Sequence, residues 1–162
     1  MDIFIRGARP EDATRVAEIE ASCFPAAEAA GKKDFEERIA AFPETFFLAE
    51  CGGEIIGFIN GGATDEPVLA DELYHDISLH SPRGKYQTVF GLDVLPQYRR
   101  NGVAAALMNR MISEAKYAGR KGIILTCKEG LIHYYEKFGY QNQGRSASVH
   151  GGAEWYDMLL SF

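Results

Sequence analysis

Apolar residues recur along the chain at two spacings, one of two residues and one of three to four, and their order predicts the elements. Asp2–Arg6 (DIFIR) alternates as a half-buried strand does. Pro10-Glu11-Asp12 opens a stretch in which Ala13, Val16, Ala17, Glu20 and Phe24 fall at helical spacing, and Lys32–Phe42 sets Phe35, Ile39 and Phe42 on one helical face. Thr45–Glu50 and Glu54–Ile59 are apolar runs joined by Cys51-Gly52-Gly53, which predicts a hairpin. From Gly61 to Gly84 no period holds, and two His, two Pro and several acidic residues predict a long surface loop with at most short helical pieces. Long loops inside compact domains are more often functional than idle.

Lys85–Leu95 (KYQTVFGLDVL) predicts another strand, and Asn101–Gly119 is the clearest helix, with Val103, Leu107, Met111 and Ala115 in one stripe and Gly119 as its stop. Gly122–Cys127 is a short apolar run of the kind buried at a sheet centre. Glu129–Phe138 predicts a helix closed by Gly139, and Tyr140–His150 and Glu154–Phe162 predict two final strands. If the strands at Lys85–Leu95 and Gly122–Cys127 share a sheet, the helix between them makes a right-handed parallel crossover. The expectation is an α/β fold with a mixed sheet, parallel in the middle, antiparallel at the ends and flanked by helices. With no repeat, low-complexity tract or linker, residues 1–162 are read as a single domain.

Composition narrows the partners. Lys+Arg 17 against Asp+Glu 23 gives a net charge of −6 and a pI near 5.2, which argues against a nucleic-acid partner and favours cationic ones. A polyphosphate ligand would need a local basic patch. The three cysteines, Cys23, Cys51 and Cys127, have neither disulfide-framework nor metal-site spacing, so no metal is expected and a reducing compartment fits. No apolar run is long enough for a signal peptide or a membrane span. The protein is therefore expected to be cytoplasmic, with no membrane partner.

The stretch that carries chemistry is the turn Pro96-Gln97-Tyr98-Arg99-Arg100-Asn101-Gly102-Val103-Ala104, between a predicted strand and its helix. Gly102 lets the backbone approach a ligand, Ala104 keeps the first turn slim, and the helix start supplies unpaired N–H groups, a dipole and two arginines. That is an anion site, unless Gly102 only makes a turn and the arginines are solvated. Gly102 is not followed by Lys and Ser/Thr, so this is no Walker A loop, and it is no G-x-G-x-x-G turn either. Further on, Tyr134-Tyr135-Glu136-Lys137-Phe138-Gly139-Tyr140 closes the last predicted helix. On periodicity alone, Tyr135 shares a face with Leu131 and Phe138 and reads as a core aromatic.

These two stretches together resemble the GNAT superfamily of acyl-CoA-dependent N-acetyltransferases. Leu92-Asp93-Val94-Leu95-Pro96 matches its L-x-V-x-P strand end, Arg99 to Ala104 its [QR]-x-x-G-x-[GA] signature, and Tyr135 to Tyr140 its closing helix. Arg9-Pro10-Glu11-Asp12-Ala13, Leu79-His80-Ser81-Pro82-Arg83-Gly84 and Leu125-Thr126-Cys127-Lys128-Glu129-Gly130-Leu131 look like the arylalkylamine branch. The resemblance implies a GNAT-like fold that binds acetyl-CoA as co-substrate. The pyrophosphate would lie on Arg99, Arg100, Asn101, Gly102, Val103 and Ala104, and the pantetheine would pair with Leu92 and Val94. Tyr135 would protonate the departing thiolate, and Lys128, where many relatives have Asn, would contact a CoA phosphate.

The proton route departs from that branch, because its two strand histidines correspond here to Thr88 and Phe90. Strand alternation sets Thr88, Phe90, Leu92 and Val94 on one face and Asp93 on the other, which makes Asp93 a structural partner unless a bulge re-aims it. Asp65, Glu66, Asp71, Glu72, His80 or a bound water remain as bases. A base is needed: an alkylamine with a pKa of about 10.4 lies about 3.4 pH units above neutrality, or about 4.6 kcal/mol. The leading expectation is an N-acetyltransferase of a small, arylalkylamine-like or polyamine-like primary amine, acting by direct attack in a ternary complex. A protein or peptide amine is the rival acceptor, and a non-catalytic acyl-CoA sensor the rival class. The oligomeric state stays open, a homodimer included.

Overall fold

A computed structural model describes residues 1–162. The chain runs β1 (Phe4–Gly7), α1 (Ala13–Cys23), α2 (Lys32–Ala41), β2 (Phe46–Cys51), β3 (Glu54–Asn60), β4 (Ala63–Thr64), α3 (Glu72–His75) and β5 (Tyr86–Thr88). It continues through β6 (Gly91–Val94), α4 (Val103–Tyr117), β7 (Gly122–Cys127), α5 (Ile132–Glu136), β8 (Gln141–Arg145) and β9 (Tyr156–Ser161). No helix is long and apolar enough to cross a membrane. The chain forms two compact units: residues 1–61 with 90–114, and residues 62–89 with 115–162.

The predicted elements are present, with four revisions, the first being β4, a two-residue buried strand paired with β5 inside the stretch expected as a surface loop. The strand expected over Lys85–Leu95 is two strands, β5 and β6, which pair in different sheets, so the sheet read as one is two. The change comes at two adjacent residues: the Val89 amide donates to Ile124 and the Phe90 amide donates to Asn60. The helix expected over Glu129–Phe138 is a 3-10 turn at Glu129–Leu131 followed by the five residues of α5. The strand expected over Tyr140–His150 stops at Arg145, and within it the Asn142 side chain takes the Gly144 amide at 2.8 Å, where the register shifts.

In the first unit the sheet order is β1-β2-β3-β6, antiparallel throughout. Side chains alternate across it. Leu48 and Phe58 pair on one face, and Phe58 with Phe46 and Phe35 of α2 forms a ring cluster with centroids 5.5 to 6.1 Å apart. On the other face Phe47 pairs with Ile59, and Arg110 of α4 lies over the Phe47 ring at 5.0 Å. Helices thus cover both faces. Val16, Ile19, Phe35, Ile39, Leu107, Met108 and Met111, the apolar stripes of α1, α2 and α4, are all buried.

In the second unit the order is β4-β5-β7-β9-β8, and β5 with β7 is its parallel pair. The other neighbours run antiparallel. Ile123, Leu125, Cys127 and Met158 fill one face of its centre. Two helix ends close the same way. The amides of Gly119 and Arg120 return to Lys116 and Ala115, and those of Gly139 and Tyr140 to Glu136 and Tyr135, with both glycines in the left-handed region.

The first unit is also tied by a charge cluster at its N-terminal strand. Arg6 donates from Nη1 and Nη2 to the two Asp12 oxygens at 2.8 and 3.0 Å and from Nε to Glu50 at 2.7 Å. The Asp12 carboxylate pulls against its own burial, and its bonds to Arg6 and the Arg9 amide hold its pKa below the ordinary value. The guanidinium is 14% exposed, so screening is partial. Removing it leaves two carboxylates without their cation. Arg6→Ala is expected to cost about 2 kcal/mol, or roughly 6 °C in Tm. Because the folded Asp12 pKa is depressed, its contribution is present above the unfolded value and is lost as pH falls through the folded one. Thermal unfolding at pH 7 and pH 3 checks both: the gap between wild type and variant should shrink at the lower pH.

Candidate active site

The turn singled out in the sequence lies at the end of β6. Leu95 donates its amide to Ile56, which makes Asp93 with Phe58 and Gly91 with Asn60 the hydrogen-bonded pairs of the β3·β6 ladder. The peptide groups of Leu92 and Val94 therefore point the other way, along the outer edge of this four-stranded sheet. The Val94 carbonyl is taken by Arg99 Nε at 3.0 Å, and Arg99 Nη2 lies 3.7 Å from Cys23 Sγ. Arg99 is thereby a staple for the turn as well as a positive charge beside it.

Beyond Arg99 the backbone turns left-handed twice, at Arg100 (φ 65°) and Gly102 (φ 80°). A non-glycine residue in that region carries strain of order 1 kcal/mol. The Asn101 side chain donates to the carbonyls of Tyr98 and Arg99 and holds the bend. The first helical bond is from Ala106 to Gly102, so the amides from Asn101 to Ala105 donate to no group of the protein. A β-carbon built on Gly102 meets no atom within 4 Å. The tip is open, basic and rich in donors, as an anion site requires.

The face of β6 turned toward α1 and α2 holds a buried polar group. Asp93 is 1% exposed, and neither of its oxygens has an N–H or hydroxyl donor. The group it faces is another buried carboxyl, Glu20 of α1, which accepts the Ala30 amide on its second oxygen. Burial first, and the Glu20 charge second, push the Asp93 pKa well up, while Arg38 opposes them. Of the two carboxyls, Asp93 is the one whose protonated form burial favours. Arg38 donates to Asn60 at 3.1 Å and lies over the Phe90 ring at 4.8 Å. Phe90 therefore shares the helix side with Asp93, against simple alternation, because the strand changes sheets beside it. This carboxyl is held as a structural acid.

In the second unit Tyr135 is buried on α5, edge-on to Tyr134 and Tyr140 at 5.3 and 5.8 Å, and fixed by the turn at Gly139. Cys127 is buried too, and burial pushes its thiol up to about 11, which disfavours a thiolate nucleophile at neutral pH. Lys128 lays its ammonium over the Trp155 ring at 5.6 Å. Thr88 donates its hydroxyl to the Gly62 carbonyl. The bases considered from the loop are largely committed to structure. Asp65 takes the Lys85 amide, His80 Nδ1 takes the Ala63 amide, and Asp71 takes the Ser148 hydroxyl and the Val149 amide. Glu66 and Glu72 are exposed. No three His, Cys, Asp or Glu side chains converge as a metal site would need.

The profile of the acetyltransferase (GNAT) family matches residues 13–140. The chain belongs to the GNAT family of acetyltransferases. Among curated GNAT relatives, serotonin N-acetyltransferase of Mesocricetus auratus is 27% identical over 157 residues, covering 94% of this chain and 74% of that protein. A probable hydrolase, YhcX, of Bacillus subtilis (strain 168) is 28% identical over 98% of this chain, which spans only 32% of its length. Of solved structures, the GNAT-like decarboxylase GphF in complex with isobutyryl-CoA superposes with a TM-score of 0.84 at 19% identity, covering 98% of both chains. Arabidopsis thaliana Naa50 in complex with the bisubstrate analogue CoA-Ac-MVNAL superposes at 0.77 and 19% identity over the whole of both chains.

Sequence reasoning named the tip but missed how its neighbours are paired. Glu20 carried a signal, a lone acid on an otherwise apolar helix stripe, and Arg38 stood next to Ile39 on the buried side of α2. The Asp93 acid has a measurable signature. Its pKa is raised on folding, so the folded chain keeps a proton the unfolded chain has lost, and stability falls as pH rises from about 4 toward the folded value. Asp93→Asn removes that titration. Urea midpoints taken at pH 5 and pH 8 should fall for the wild type and stay flatter for the variant. Parallel slopes would mean that Asp93 is ionised in the fold.

Proposed function

We propose that this GNAT protein is an acetyl-CoA-dependent N-acetyltransferase that transfers acetyl to the primary amine of a small molecule by direct attack. The row of unpaired amides from Asn101 to Ala105, together with the outward peptide groups of Leu92 and the outward amide of Val94 on the same strand-turn-helix segment, carries the reading. A diphosphate can accept from those amides with Arg100 beside it, and an extended amide-bearing tail can add to the strand edge. The CoA thioester and CoA conjugate in the superposed GNAT structures support this donor.

In this mechanism the neutral amine nitrogen attacks the thioester carbonyl, the C–N bond forms and the C–S bond breaks. Tyr135 gives its hydroxyl proton to the departing thiolate. A phenol with a reference pKa of about 10 stays protonated at neutral pH, and a free thiol near 8.5 sets the scale for the leaving group. The amine proton leaves through water or a base outside the strand positions of Thr88 and Phe90. The buried Cys127 thiol supports direct transfer over an acyl-cysteine route. Three free cysteines fit a reducing, cytoplasmic setting.

The relative named serotonin N-acetyltransferase favours a small amine, and the likeness to Naa50 with its peptide-bearing analogue favours a second reading, a peptide amine. Thiol release from acetyl-CoA across small amines and peptides separates the two. Tyr135→Phe should keep acetyl-CoA affinity by calorimetry and lose at least about tenfold in turnover, the expected scale for a lost acid being about a hundredfold or more. Unchanged turnover removes Tyr135 from its role. Gly102→Glu places a carboxylate beside the free amides and strains a left-handed position, and should weaken acetyl-CoA binding at least about a hundredfold. Retained affinity would put the phosphates elsewhere.

A further inference from the structure

Asp157 of β9 is a half-buried carboxylate with an unusual balance of partners. One of its oxygens, Oδ1, is shut off from solvent and meets no donor. Ser146 supplies a hydroxyl to the group, yet burial outweighs it and raises the pKa. No lysine, arginine or histidine forms an ion pair with it. A buried acceptor without a donor costs about 1–3 kcal/mol, so such a group asks for a partner from outside the chain.

Its surroundings say what kind. Thr126 stands directly opposite Asp157 in the β7·β9 ladder, on the same face, and the Tyr74 hydroxyl lies 3.3 Å from Thr126 Oγ1. The Tyr74 ring stacks on His150 at 5.4 Å, and His150 lies 6.0 Å from Trp155. Both loops are locked: Asp71, three residues before Tyr74, takes the Ser148 hydroxyl and the Val149 amide, and the Trp155 indole donates to the His150 carbonyl. Lys128, two residues beyond Thr126 and just past the end of β7, directs its ammonium over Trp155, which shows that this aromatic ring attracts a cation.

We infer that Asp157, Thr126 and Tyr74, with the rings of His150 and Trp155, form the recognition site for the ammonium group of an acceptor carrying an aromatic or apolar tail. The inference rests on the acetyltransferase reading for the word acceptor, but not for the binding itself. The carboxylate and two hydroxyls receive the three N–H bonds of the ammonium, and ring faces take the tail. The acidic net charge of the chain favours the same class of ligand.

Trp155 is the only tryptophan, so its fluorescence reports on this site alone. Titration with phenethylammonium should give a saturable change, and 2-phenylethanol, which has the same ring and no charge, should bind at least about tenfold more weakly. Asp157→Asn should weaken phenethylammonium by at least about tenfold and leave 2-phenylethanol unchanged, with its urea midpoint and acetyl-CoA affinity as controls. Thr126→Val should give a smaller loss in the same direction and stands in if the first variant does not fold. Equal binding of the two ligands by the wild type, no saturable signal, or an unaltered Asp157→Asn variant each overturn the site. Acetyl-CoA binding without an ammonium response defeats this inference alone. An ammonium response without acetyl-CoA binding defeats the donor assignment instead.

Discussion

Peptide groups in a folded chain are nearly always paired, and this chain leaves a broken run of them unpaired, at Leu92 and the Val94 amide and again at the amides from Asn101 to Ala105. The run has two parts with different geometry: a strand edge that offers alternating donors and acceptors, and a helix tip that offers donors only. Everything else in the first unit keeps that run in place. The ring cluster of Phe35, Phe46 and Phe58 anchors the sheet, Leu107, Met108 and Met111 anchor α4, and Arg99 staples the turn between them to Val94. The dipole of the fifteen-residue helix adds its positive end where the amides are free.

The buried acid on the other face of the same strand shows what that edge costs. A carboxyl pair with one guanidinium nearby is a weak source of stability, since apolar residues of similar volume would do as well. What the pair does supply is definition. A β-carbon on Gly91 would lie 3.1 Å from Asp93 Oδ1 and 3.8 Å from Glu20 Oε1, so the polar group and the small residue occupy one space. Together they hold the chain where it leaves β5 and joins β6.

The elements whose apolar spacing is long and regular were legible in the sequence. α4 and β7 fall within two residues of where periodicity puts them, and the hairpin of β2 and β3 turns at the glycines that predict it. The turn geometry of Arg99 to Ala104 was legible too, because a glycine between a strand and a helix marks a left-handed bend, and Gly102 has one. What periodicity cannot carry is pairing. Lys85–Leu95 alternates without interruption, yet Val89 and Phe90 bond to different sheets, and only long-range partners decide that. The same holds for the titratable loop groups: Asp65, Asp71 and His80 are chemically able to act as bases, and contacts up to 78 residues away commit them to structure. Asp157 drew no notice because alternation gives only the face of a strand residue, and its decisive property is a donor that one of its oxygens lacks.

Arg100 has a longer reach than its exposure suggests. It is the one residue other than glycine with a left-handed backbone, in a turn where glycine would sit without strain. A chain selected for folding alone would gain by the exchange. The guanidinium therefore marks a trade between backbone ease and charge, and an engineer seeking a sturdier scaffold would begin at this position and surrender a positive charge beside the helix tip in return.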